Sequence, residues 1–337
     1  MKRQPIHRWL DTQRGRTLIE LIIAMAISLV IIAGVSSLYL SSSGVSRLAG
    51  EAGTAEESGQ IAMFVIGGAV RLAGYGEILG SDYASRDQTL FDGAHVRGCT
   101  NSRFAVPLPA TPPLLDLNCT GAGAQDALYV RFQARPEVAA ISIAEQTRVE
   151  LTDCLGDQTP LETMDPTSGR AGAGIQRRMA TNVFALALNA AGRLSLYCNG
   201  SGGGGNQPLV EDVVEFKVFY RLDDAAYFAG AGGATNAAPL GGSVRDAAFI
   251  NGLSAAIVDP WNYVVAVMVC VTVRTNEGGV AISLPPNSTP TCPVTAAEAS
   301  TGLALVGPNP AGGVLHRSYS QVFTIRSHAT ATPSLTL

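Results

Sequence analysis

The sequence predicts an α+β protein: a long N-terminal helix, membrane-spanning in its first half, packed on an antiparallel β-sheet head. Three observations predict it. Leu21–Leu40 runs for twenty residues without a charge. Apolar residues then recur at helical spacing as far as residue 76. From residue 77 onward, aliphatic and aromatic runs alternate with tracts rich in Gly, Pro, Ser and Asn. One helical block followed by a run of strands is the α+β pattern.

As a helix, twenty residues span about 30 Å, the thickness of a bilayer's hydrocarbon core. Lys2, Arg3, Arg8, Arg14 and Arg16 precede the run, and Arg47, Glu51, Glu56 and Glu57 follow it. The excess of cations before it places the N-terminus in the cytoplasm and the remainder outside. A cleaved signal peptide has a shorter apolar core, although Ala33-Gly34-Val35-Ser36 offers a small-residue site. A lipoprotein signal requires a Cys directly after the run, and the first is Cys99. A plain signal anchor accounts for neither Gly15 nor Glu20.

Residues 41–76 are expected to continue the helix amphipathically, with Ile61, Phe64, Val65, Ala69 and Leu72 on the packed face. Gly50, Gly53, Gly59, Gly67 and Gly68 weaken it and predict breaks. Strands are expected at 127–132, 184–198 (a hairpin turning at 189–192), 213–222, 263–275 and 320–327. Turn-rich tracts fall at 201–208, 229–242 and 284–293.

The six cysteines, Cys99, Cys119, Cys154, Cys198, Cys270 and Cys292, all follow the apolar run and form no CxxC. An even, widely spaced set fits disulfides in an oxidising compartment. Sequential pairing closes the shortest loops. Buried free thiols are the alternative.

The net charge of −4 is mild, and no basic stripe with interleaved aromatics suggests nucleic acid. HExxH, GxSxG and GxxxxGK[ST] do not occur. Gly202–Gly205 lack a following Lys and read as a loop. His7, His95, His316 and His328 are scattered. Asp223-Asp224 before a Gly-rich tract could contribute to a calcium site, but solvated turn residues are the simpler reading. The chain is expected not to be an enzyme and to need no cofactor or metal.

The stretch from Gly15 through Arg16, Thr17, Leu18 and Ile19 to Glu20 resembles the prepilin cleavage motif of type IV pilins and type II secretion pseudopilins. The resemblance implies a leader of residues 1–15, cut after Gly15 by a membrane prepilin peptidase, with N-methylation of the new terminus at Arg16. It makes Glu20 the fifth mature residue, whose carboxylate meets a neighbouring subunit's terminal amine during assembly. The implied layout is a transmembrane assembly helix over 16–40, its amphipathic continuation over 41–76 and a β-rich head over 77–337. The usual first mature residue is apolar, and here it is Arg16. Cleavage depends mainly on the Gly, so the departure bears on methylation more than on the cut. Arg16 and Glu20 are also i and i+4, so the guanidinium is within reach of the carboxylate on one helix.

Arg71, Ala73, Gly74 and Tyr75 resemble the R-x-A-G-Y stretch of PilW-type minor pilins, and 209–223, 261–275 and 316–328 resemble strands of that group. The implied role is structural: pilus assembly in a priming or tip complex, supporting twitching motility, adhesion or DNA uptake. The implied partners are other minor pilins, the major pilin, the peptidase and the inner-membrane assembly platform. The protein would sit single-pass in the inner membrane and then in the extracellular pilus. A large, J-like type II secretion pseudopilin is the nearest alternative, and a signal-anchored periplasmic protein is a second. The loops around 80–120 and 223–255 are where contacts of the head are expected.

Overall fold

Leu18–Leu72 form one uninterrupted helix, α1, that begins where Thr17 accepts from the Glu20 and Leu21 N–H groups. The computed structural model describes residues 17–76, 94–105, 117–123, 125–135, 152–159, 161–163, 176–223, 244–253, 260–275, 287–303, 305–308 and 314–325. The chain divides into two compact units, residues 1–50 and 51–337.

The breaks expected at the five glycines do not occur. Glycine lowers helix propensity by about 1 kcal/mol but keeps its N–H, so the hydrogen-bond ladder survives it. The packed face also differs from the one expected. Ala55, Ala62, Met63, Ile66, Ala69, Val70 and Ala73 are buried, whereas Ile61 is 44% and Phe64 82% exposed. Val65 and Leu72 lie at the margin of the core. The true face is rotated because much of it is Ala and Gly, which allow close approach but carry little hydrophobic signal.

The strands are β1 (Val96–Cys99), β2 (Arg103–Phe104), β3 (Cys119–Thr120), β4 (Ala127–Arg135), β5 (Leu161–Thr163), β6 (Gln176–Leu188), β7 (Leu194–Gly200), β8 (Asn206–Glu211), β9 (Val213–Leu222), β10 (Val244–Arg245), β11 (Val264–Arg274), β12 (Thr289–Thr291), β13 (Leu305–Gly307) and β14 (His316–Thr324). All pairings are antiparallel. They build two main sheets where one was expected. The first runs β1-β4-β6-β7-β8 with β5 beside β6, and the second runs β10-β9-β11-β14. Two short ribbons, β2-β3 and β12-β13, complete the described strands. Two short helices, α2 (Ala247–Asn251) and α3 (Ala296–Thr301), join them.

The expected strands at 127–132, 184–198, 213–222 and 263–275 are present as β4, β6-β7, β9 and β11. The 189–192 hairpin turn is present: Asn189 Oδ1 accepts from the Ala191 and Arg193 N–H groups, and Gly192 takes φ +73°. The closing strand starts earlier than expected, at His316. Two expected turn tracts prove partly extended: Asn206–Pro208 open β8, and Thr289–Thr291 form β12. Their Pro and Asn residues concealed strands that need few ladder bonds. The 229–242 tract lies outside the described residues.

Both sheets and the buried face of residues 55–73 share one core, whose members include Ile66 and Val70 of α1 together with Leu128, Phe184, Phe216, Val267 and Val269 of the sheets. Side chains join the sheets. Asp212 carries the chain from β8 to β9 at φ 57°, a left-handed conformation that Asp tolerates better than most residues. Its carboxylate accepts from Arg193 at 3.0 Å and Arg274 at 3.2 Å. Gln125 and Asp126, just before β4, close the open edge of β9. Gln125 donates to Val214 O and accepts from Phe216 N–H, and Asp126 accepts from Val218 N–H.

Three disulfides, Cys99–Cys119, Cys154–Cys198 and Cys270–Cys292, tie loops to these sheets. The sequential pairing is the one present.

Candidate functional site

The first half of α1 has the chemistry of a lipid-embedded segment. Its large apolar side chains are exposed all around the helix, from Leu18 at 76% to Leu40 at 69%. A helix apolar on every face must be covered by lipid or by other apolar helices. It is the one described helix long and apolar enough to cross a membrane. Three hydroxyls within it are satisfied internally: Ser28 donates to Ala24 O at 2.7 Å, Ser37 to Gly34 O at 2.8 Å and Ser43 to Leu40 O at 2.9 Å. A side chain that returns its proton to its own helix needs no water.

Glu20 is the single charged residue between Thr17 and Ser46. It lies in the first turn of α1 and is exposed. That end of a helix favours a carboxylate through the unpaired N–H groups there. Gly15 and Arg16, the expected cleavage and methylation positions, lie outside the described residues, as does the Arg16 to Glu20 approach.

The second part of α1 docks on β14 through a polar clamp and two rings. Glu56 accepts from Arg317, from Tyr319 at 3.0 Å and from Gln60 at 3.1 Å. Hydrogen bonds from Gln60, Tyr319 and Arg317 hold the Glu56 carboxyl below the usual carboxylate range. Burial, then the Glu56 bond, pushes the Tyr319 phenol up, which keeps it a donor at neutral pH. The Phe323 ring packs under the Arg71 guanidinium, 5.3 Å from its centroid.

A carboxylate with a depressed folded-state pKa stabilises the fold above its unfolded pKa, near 4.3, and loses that contribution as pH falls through the folded value. Wild type should therefore lose stability more steeply than Glu56→Gln from about pH 5 downward. Urea midpoints of both proteins between pH 3 and 7 check this. Parallel curves would contradict the clamp.

A buried polar cluster sits where the sheets meet. Asp126 is 4% exposed and accepts from Asn101 N–H and Val218 N–H at 2.9 Å each, with Lys217 Nζ at 3.5 Å. Lys217 also donates to Asn101 Oδ1. Burial pushes the Asp126 carboxyl up, against the pull of these donors. Both Asp126 carboxylate oxygens are engaged by backbone N–H groups of the protein itself, so the cluster reads as structural.

Among the described residues, no group of three or more His, Cys, Asp or Glu side chains could hold a metal ion. His95 is buried with Nε2 3.1 Å from Val264 O, and His316 lies at the start of β14. The Asp223 N–H is bound to Tyr263 O, and Asp224 lies outside the described residues. Gly202 donates to Asp153 Oδ2 at 2.7 Å, so a carboxylate of the chain itself occupies the glycine loop. The clamp on Glu56 and the cluster at Asp126 were missed in the sequence.

Residues 10–36 match the model of the prokaryotic N-terminal methylation motif. With the exposed apolar helix, that match supports a type IV pilin-like component of a pilus or pseudopilus, anchored in a membrane before assembly. Among solved structures, a type IV-like pilin from Thermus thermophilus is similar over 83% of this chain and 95% of its own, at 12% identity and a TM-score of 0.37. A likeness of that size is too slight to carry a fold or a function, and the α+β assignment stands on the helix and sheets themselves. No curated protein matches the chain significantly.

Proposed function

We propose that the chain is a minor pilin of the PilW type. It is cut after Gly15, crosses the inner membrane once with its N-terminus in the cytoplasm, and joins a type IV pilus within a priming or tip complex. Its work is assembly, in support of adhesion, twitching motility or DNA uptake, and it is not a catalyst. One observation carries the reading: Glu20 is the lone charge in an exposed apolar helix, inside the stretch that matches the methylation motif. A buried-in-lipid carboxylate costs several kcal/mol unless it is neutralised. The amine freed at Arg16 by the cut is a suitable partner. The oxidised cysteines support an extracytoplasmic head.

The same observation serves a secretion pseudopilin equally well. Fibres sheared from cells and cross-linked before mass spectrometry separate the two. The proposal expects this chain in the fibre fraction, cross-linked to other pilins. Cross-links to secretion components would select the pseudopilin, and absence from every fibre would contradict both.

A further inference from the structure

Two glycines of α1 each sit directly beneath a ring of the closing strand. A Cβ at Gly59 would overlap the Tyr319 ring, and a Cβ at Gly67 would overlap the Phe323 ring. The spacings agree. Eight helical residues rise about 12 Å, and the four strand residues from Tyr319 to Phe323 span about 13 Å. Glu56 with Arg317 continues the same parallel order one turn earlier. Arg71, one turn past Gly67, closes the far side of Phe323.

The sequence allows this fit at one position. Gly59 and Gly67 are the only two glycines of α1 separated by eight residues. Sliding the helix by one turn would bring Ala55 and Met63, or Met63 and Arg71, under the two rings. Each shift drives side chains into space the rings fill. By contrast, a Cβ at neighbouring Gly68 meets nothing within 4 Å.

We propose that Gly59 and Gly67 form a two-notch register that fixes residues 51–72 of α1 at one axial position on β14, with Glu56 and Arg317 latching it. They are positioning residues for assembly: a subunit whose helix sits out of register presents the wrong helix surface to its neighbours. This last step rests on the reading of α1 as an assembly helix. The register itself does not.

Amide hydrogen exchange on the full chain in detergent tests the register, and incorporation into sheared fibres tests its use. Gly67→Ala should lower protection of residues 55–72 by about tenfold or more, while the amides of β9 and β11 stay protected. Adding Phe323→Val should return most of that protection, and Gly68→Ala should change nothing. Incorporation should fall in Gly67→Ala and recover in the double variant. Wild-type protection in Gly67→Ala, a double variant worse than either single one, or loss of β9 and β11 together with the helix would overturn the register. Recovery of protection in the double variant with the wild type itself absent from fibres would leave the register standing and refute the proposed function instead.

Discussion

Glu20→Ala should leave the chain in the membrane and remove it from fibres. The variant deletes the one charge between Thr17 and Ser46, so insertion of α1 should be undiminished. A carboxylate at the centre of a membrane helix costs about 3 kcal/mol on insertion scales, which is the upper bound for Glu20 in the first turn, and a partner that neutralises it recovers at most that amount. At 1.4 kcal/mol per factor of ten, losing that gain should lower the ratio of fibre-bound to membrane-bound protein, by up to about 100-fold. Immunoblots of sheared fibres and membranes from the same cells give the ratio. An unchanged ratio would remove the role assigned to Glu20.

Asp126→Ala should be the most destabilising single change in the head. It strips the partner from the Asn101 and Val218 N–H groups and leaves Lys217 as a buried cation. Breaking a buried pair from one side costs about 3–5 kcal/mol. Part of the cost should reach both sheets, because Asp126 bonds to the edge of β9 while Ala127 starts β4. Urea unfolding of the full chain in detergent measures it. Asp126→Leu combined with Lys217→Met should cost less than Asp126→Ala alone, since neither buried charge remains. A loss below about 1 kcal/mol for Asp126→Ala would show that the cluster does not join the sheets.

The sequence was informative where its signal is periodic. The uncharged run of α1 and the four longest strand regions stand out in it, whereas six cysteines leave fifteen pairings open and the sequential one was favoured only because it closes the shortest loops. It was silent where small or polar residues do the packing. Phe64 looked like a core residue because it is large and correctly spaced, yet it faces outward. Gly59 and Gly67 looked like weak points because glycine is a poor helix former, yet each leaves the room that a ring of β14 fills. One sheet became two because Gln125, Asp126 and Asp212 connect the strands with side chains, which no hydrophobic pattern records. Strand β12 was concealed in a proline-rich tract that a disulfide holds to β11. Of the candidate site, the motif and Glu20 could be read directly from residue order. The clamp of Glu56 by Arg317 and Tyr319 could not, because its members lie 261 and 263 residues apart.

A processed prepilin-type subunit has a defined mature N-terminus, and the mass of its N-terminal peptide reads it. Protein taken from membranes of the producing cell should begin at Arg16, and should still begin at Met1 when the prepilin peptidase is absent. An intact Met1 in peptidase-bearing cells, or a start after residue 33, would contradict it.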